Sequence, residues 1–265
     1  MTDSAVLEPS ARANGRLELG ARLVRKLLRP VAIPLAVRSL RRASAAATGI
    51  DGALAVASEW SYLGLTISPW QVPSEIKGLL ERVGAAAPRT VVEIGTSNGG
   101  SLFLFTHVAA DDADLISVDL PRGPFGGGYA RWRAPLYRSF ARQRQHVELL
   151  RGDSHSSAMF DQLRGALGGR EIDFLFIDGD HSYEGVKQDF ETYSALVRTG
   201  GLIAFHDIVP QGADPRGREG AAENDEFSSG EVSAFWQELK AQSETTEFVE
   251  DWSQGCFGIG LVRKG

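Results

Sequence analysis

The apolar positions of this chain change period along its length. Residues 90–94, 115–118, 147–150, 172–177 and 202–205 are short runs of mostly β-branched and apolar side chains. Between them, residues 101–110, 154–167 and 183–197 carry apolar side chains at helical spacing. A run such as 172–177, apolar at nearly every position, suits a strand buried on both faces. Strand and helix in alternation predict an α/β protein with a doubly wound, mostly parallel sheet. Ahead of this body, Ile76, Leu79, Leu80 and Val83 mark a helix that opens at Pro73 and ends at Gly84 and Pro88. Behind it, residues 248–252 and 257–262 predict a closing antiparallel hairpin.

Two connections are too long for simple strand–helix turns. Residues 121–140 contain Gly126, Gly127, Gly128, Tyr129, Trp132 and Tyr137, and residues 211–230 are rich in Gly, Asp and Glu. Both follow the C-terminal ends of strands, where an open α/β sheet binds ligands, so they are candidate lids. Residues 1–60 read as an arm, which divides the chain into an N-terminal arm and helical cap over 1–70 and a main domain over 71–265. Residues 17–42 set Leu19, Leu23, Leu27, Leu28, Ile33, Leu35, Val37 and Leu40 among arginines, with Pro30 and Pro34 interrupting any long helix. This arm is expected to pack on its own domain; an acidic membrane surface or a partner subunit, in a homo-oligomer, is the other surface it suits. No apolar run approaches the roughly 20 residues that span a bilayer, and recurring arginines leave no apolar core for a signal peptide.

Composition narrows the function classes. At 265 residues, 43% apolar and 23% charged, the chain suits one globular α/β domain with appendages. The single cysteine, Cys256, forbids an internal disulfide, so no oxidising compartment is implied and the cytoplasm is the expected location. Cys256 itself reads as a small apolar residue of a late strand. The net charge of −6 conceals an asymmetry, because residues 1–46 carry a net +6 and leave −12 for the remainder. An acidic body excludes nucleic acid as substrate, since phosphate binding needs a basic face.

Candidate chemistry sits at successive strand ends. Glu93, Gly95, Thr96, Asn98, Gly99 and Ser101 form a glycine turn between a strand and a helix, where the backbone can approach a ligand without a Cβ in the way. A glycine turn alone is also found in nicotinamide sites, but the Gly-x-Gly-x-x-Gly spacing is missing here. Glu93, a carboxylate at the strand end, suits a cationic or hydroxyl-rich ligand better than a pyrophosphate. Asp119 ends the second strand, where a carboxylate takes both hydroxyls of a ribose; the alternative is a turn cap. Asp153 and Ser154 follow the third strand, and cap a helix or hold an adenine edge.

Taken together, these stations resemble the class I S-adenosylmethionine-dependent methyltransferases. The resemblance implies a seven-stranded Rossmann-like methyltransferase fold and S-adenosylmethionine as cofactor. The stretch from Phe176 through Asp178, His181 and Tyr183 to Asp189, followed by Gly200 to Asp207, is similar to the small-molecule O-methyltransferases with an Asp-Gly-x-His-x-Tyr signature. These include metal-dependent sugar enzymes of natural-product pathways, and the resemblance covers residues 70–210. It implies that Asp178 touches both cofactor and metal, that His181 is the general base, and that His206 and Asp207 complete a Mg²⁺ site. His206 stands where the sugar enzymes carry an acid, although imidazole is a softer donor than Mg²⁺ prefers.

The expected reaction moves a methyl group from S-adenosylmethionine to a hydroxyl of a sugar, glycoside or other small natural product, a small hydroxylated acceptor. His181, with an ordinary pKa near 6.5, takes the proton at neutral pH. Two alternatives stay open: a metal-independent enzyme relying on His181 alone, and a non-catalytic cofactor-binding or scaffold protein on this fold. Capping of a helix is the structural alternative for His181. Tyr183 and Glu184 are expected to open that helix, with Asp189 and Glu191 on its solvated face. Trp60, Tyr62 and Trp70 are candidates to roof the site, and Tyr129, Arg131 and Trp132 to stack on an acceptor.

Overall fold

The computed structural model describes residues 28, 31–123, 128–210 and 231–265. Its centre is a seven-stranded sheet built from β3 (Thr90–Ile94), β4 (Asp114–Asp119), β5 (His146–Arg151), β6 (Ile172–Ile177), β7 (Val197–His206), β8 (Thr245–Phe248) and β9 (Ile259–Arg263), in the order β5-β4-β3-β6-β7-β9-β8. A separate two-stranded ribbon joins β1 (Ser61–Tyr62) to β2 (Leu65–Thr66). The first five strands of the large sheet run parallel, and β9 is antiparallel to both neighbours. This is the doubly wound, seven-stranded Rossmann-like arrangement.

Alternate side chains of each strand feed opposite cores, as the period of two requires. Val91, Leu115, Phe174, Phe176 and Ala204 face α1 (Ile33–Ala46), α2 (Gly49–Glu59), α3 (Pro73–Ala86) and α4 (Gly100–Val108). Val92, Ile94, Ile116, Leu175 and Ile203 face α6 (Ser157–Leu167), α7 (Tyr183–Ser194) and α8 (Val232–Lys240). The short α5 (Ala134–Arg138) lies in the long connection after β4, preceded by a 3-10 turn at Arg131–Arg133. Residues 124–127 of that connection, the whole candidate lid at 211–230, and the arm ahead of residue 28 lie outside the described residues.

Strands β3 and β6 have the bounds expected from their apolar runs. Several other expectations need correction. β7 starts at Val197 rather than 202: Gly200 and Gly201 do not stop it, because the chain passes through them with a register shift against Ile172 and Phe174. The closing hairpin exists, but its first strand is residues 245–248, fixed by the pairing of Thr245 with Val262 and Phe248 with Ile259. Cys256 is buried in the connection ahead of β9, not within a strand. Pro34 sits in the first turn of α1, where a missing N–H is tolerated, so it opens this helix rather than breaking it.

The described part of the arm packs on its own domain through Ile33, Ala36 and Leu40. Trp60 is core there and not a roof: it is buried, and its Nε1 donates to Ser39 Oγ at 3.2 Å. Asp189 also departs from expectation. Glu191 is exposed, but Asp189 has no exposed surface at all, because it turns inward from α7 toward the start of α6. No helix among the described residues is long and apolar enough to cross a membrane.

Candidate active site

The glycine turn is built by steric necessity. Gly95 has φ +91, and a Cβ there would lie 1.9 Å from the backbone oxygen of Asp178, so β3 and β6 meet at a point only glycine allows. The turn then carries Thr96, Ser97 and Asn98 across the sheet end and into α4 after Gly99. Asp119 braces it from β4: Oδ1 accepts the N–H groups of Thr96 (3.0 Å) and Ser97 (3.2 Å), and Oδ2 accepts that of Tyr129 (2.9 Å). Burial pushes this carboxyl up, against the three N–H bonds and Arg151. Both carboxylate oxygens of Asp119, the residue expected to hold a ribose, thus accept backbone N–H groups, and Asp119 lines the cleft described below.

Under the turn lies Glu93. It is fully buried, its Oε1 accepts from Ser101 Oγ at 2.5 Å, and its Oε2 has no hydrogen-bond partner among the described residues. Burial, outweighing the Ser101 bond, raises its carboxyl to about 8. Glu93 supports the turn from below and does not line the cleft. Neither do Thr96 and Ser101, which are buried; Asn98 Oδ1 accepts from Arg133 Nη1 at 3.1 Å.

A cleft opens at the C-terminal ends of β3, β4, β5 and β6, lined by Gly95, Ser97, Asp119, Asp153, Ser154 and His155 among others. Its position is the one an open α/β sheet reserves for a ligand. Trp70 stands at the rim, with Nε1 donating to Ser97 Oγ at 3.3 Å. Tyr129 is buried instead of presented to an acceptor: it lies 4.5 Å beneath the Arg151 guanidinium and packs edgewise on Tyr137.

Next to this cleft, the ends of β6 and β7 bring four titratable side chains together. His181 Nε2 is 3.5 Å from Asp178 Oδ1, and its Nδ1 is 3.3 Å from Asp207 Oδ2. Ser182 caps α7 by accepting from Gly185 N at 3.1 Å, so His181 is not spent on capping, and Tyr183 opens the helix as expected. Asp207 takes φ +66, a strained conformation for a side chain of this kind, and its Oδ1 accepts Phe257 N at 3.1 Å.

Asp178, His181 and Asp207 each offer a ligand atom within 4.8 Å of the others, two oxygens and one nitrogen. That donor set fits a divalent cation. His206 belongs to the site in a different way from the one expected. It is buried behind the three, with Nδ1 3.1 Å from Asp178 Oδ1 and 3.5 Å from Asp207 Oδ1, and it is not part of the converging set. Burial disfavours its charged form, but the two carboxylates prevail and raise it to about 9. Asp178 is held low in turn by the charge of His206 and the hydrogen bonds from both histidines, against its burial.

Two contributors went unread in the sequence. Gln71 Nε2 donates to Asp178 Oδ2 at 2.8 Å from the segment ahead of α3. Glu75, buried in α3, accepts from Glu250 N (3.0 Å), Gln254 Nε2 (2.7 Å) and Gly258 N (2.9 Å), and so anchors the segment that reaches Asp207. Their partners lie more than a hundred residues away, where no local pattern can reveal them.

A protein-family profile described as a methyltransferase domain matches residues 92–208. Among curated proteins, the chain is 32% identical over 129 residues to an uncharacterized protein of Sinorhizobium fredii and 36% identical over 121 residues to one of Acanthamoeba polyphaga mimivirus. These matches take in 47% and 44% of this chain but span only 14% and 51% of those relatives' lengths. Among solved structures, an O-methyltransferase from Bacillus cereus in complex with SAH aligns with a TM-score of 0.51 at 19% identity, covering 91% of this chain and 97% of that one. The O-methyltransferase TomG from Streptomyces achromogenes, in complex with SAM, aligns at 0.54 and 19% identity, covering 85% and 95%. A putative caffeoyl-CoA O-methyltransferase from Staphylococcus aureus aligns at 0.52 and 16%, covering 92% and 100%. Residues 92–208 therefore match a methyltransferase domain, and the chain has the Rossmann-like methyltransferase fold.

Proposed function

We propose that this protein transfers the methyl group of S-adenosylmethionine to a hydroxyl of a small acceptor, a sugar, a glycoside or another small natural product. The observation that carries this reading is the meeting of His181 with Asp178 and Asp207 beside the glycine-turn cleft. Bound in the cleft, S-adenosylmethionine supplies an electrophilic methyl group. Gly95 and Ser97 border the space it needs, and Asp153 and Ser154 stand at the nucleoside end. His181 is the base: Asp207 beside Nδ1 keeps a proton on that nitrogen and leaves Nε2 to take the acceptor's proton. Methyl transfer needs no covalent enzyme intermediate, so orientation and exclusion of water supply the rest.

A divalent cation held by Asp178 and Asp207, with imidazole nitrogen nearby, would supply Lewis acidity toward the acceptor hydroxyl; Mg²⁺ is the ion that the resemblance implies. A second reading dispenses with it. It is favoured by His206, whose Nδ1 already faces both carboxylates. The deciding experiment supplies methyl-labelled S-adenosylmethionine and a panel of hydroxylated sugars, glycosides and phenols, before and after exhaustive chelation. Labelled ether products support O-methyl transfer, and their loss on chelation with recovery on Mg²⁺ supports the cation. A panel without any labelled product, from protein that binds the cofactor, would sink the catalytic reading.

A further inference from the structure

Asp189 is a buried acid that neither the mechanism nor the framework of the glycine turn and closing segment uses. It has no exposed surface on α7, and among the described residues neither carboxylate oxygen makes a hydrogen bond of ordinary geometry. Such a group is destabilising on its own, and an apolar residue would pack better in its place. Its Oδ1 faces His155 Nε2 at 3.4 Å, and that imidazole also contacts Gly185 O at 3.2 Å. His155 also lines the cleft, together with Asp153 and Ser154. The His155 backbone N–H donates to Asp153 Oδ1 at 2.9 Å, and its Nδ1 lies 3.9 Å from the same oxygen. A continuous line of contacts therefore runs from the buried acid, through the imidazole, to an acid on the cleft wall.

We propose that Asp189 and His155 are positioning residues for the methyl donor: Asp189 anchors the His155 ring from beneath, and His155 holds the Asp153 carboxylate against the donor's purine. This rests on the S-adenosylmethionine reading of the cleft. A purine exocyclic amine is a donor and needs a fixed acceptor, which Asp153 becomes when a cation stands behind it. The Asp189 carboxylate 3.4 Å from Nε2 outweighs burial and raises His155 to about 9, so the ring carries that charge at neutral pH. It also gives a buried carboxylate the counter-charge it otherwise lacks.

The test is calorimetric titration of S-adenosylmethionine into the full-length protein and its Asp153→Ala, His155→Gln and Asp189→Asn variants, with steady-state kinetics on the same samples. Each single change is expected to raise Kd and KM for the cofactor about tenfold, the scale of one hydrogen bond to a charged group, and for His155→Gln and Asp189→Asn kcat at saturating cofactor holds. Combining Asp189→Asn with Asp153→Ala should weaken binding no further than Asp153→Ala alone, because both act through one carboxylate. Variants that melt earlier yet bind the cofactor like wild type would reduce the pair to a packing role and overturn the proposal. Should Asp189→Asn fail to fold, His155→Gln alone decides. Wild type that binds no S-adenosylmethionine overturns both this proposal and the reading beneath it, whereas normal binding by wild type and variants alike overturns this proposal only.

Discussion

Gln71 Nε2 donates a 2.8 Å hydrogen bond to Asp178 Oδ2, tying the segment ahead of α3 to the acid that ends β6. A carboxylate beside two imidazoles has several orientations open to it, and this amide selects one. Gln71→Ala is therefore expected to cut methyl transfer about 10–100-fold, the usual effect of removing the partner that orients a site carboxylate, with cofactor affinity unchanged. Product formation and cofactor calorimetry on one preparation check this; unaltered turnover would remove Gln71 from the site.

His181→Ala separates catalysis from binding. The side chain touches Asp178 and Asp207 but does not line the cleft, so cofactor binding should persist while turnover falls by about 10²–10⁴. Loss of cofactor binding in step with turnover would mean that His181 holds the site together instead of moving a proton.

Glu93 gives the fold a pH dependence of known sign. Its carboxyl is raised from 4.5 to about 8 in the folded chain, so between those values the native state holds a proton that the unfolded state has lost. Stability from this group therefore declines as pH rises through that window and levels off above 8. Glu93→Gln, neutral at every pH, should abolish that part of the decline and match or exceed wild type in Tm at pH 9. Parallel Tm–pH curves for the two proteins would refute the buried, protonated state of Glu93.

The approach of Gly95 to Asp178 can be tested by one methyl group. With positive φ and a Cβ site 1.9 Å from a carbonyl oxygen, Gly95→Ala cannot be absorbed by a side-chain shift. A loss of more than about 4 kcal/mol, or failure to fold, is expected, because both backbone strain and a steric clash act at one position. A denaturant midpoint close to wild type would show that β3 and β6 are not so closely apposed.

How far the sequence foretold the molecule depended on the range of the interaction. Residues 90–94 and 172–177 could be bounded by eye, because a centrally buried strand is apolar on both faces. The start of β7 could not, since Gly200 and Gly201 mimic a stop that only the neighbouring strand overrides. Local motif placed Asp178, His181 and Asp207, three residues that the fold brings together. Asp189 misled, because helical spacing does not say which polar side chain will meet a counter-charge inside. Gln71 and Glu75 were invisible for the opposite reason: their partners, at 178 and at 250–258, are set by tertiary structure alone.

Glu75 deserves its own measurement. It is buried and accepts three hydrogen bonds from residues 250–258, so Glu75→Ala should lower stability by about 2–4 kcal/mol in chemical denaturation. Turnover should suffer beyond the folded fraction, because Phe257 N holds Asp207.

The place of β9 between β7 and β8 bears on how this protein matures. Domains begin to fold as they are synthesised, from the N-terminal side. Here, β3 to β7 can associate early, but the strand that seals β7 and the loop that fastens Asp207 come from residues 250–263. A nascent chain can thus shape the cleft beside Gly95 well before Asp207 is fastened. The cluster of Asp178, His181 and Asp207 is completed last, with the insertion of a single late strand.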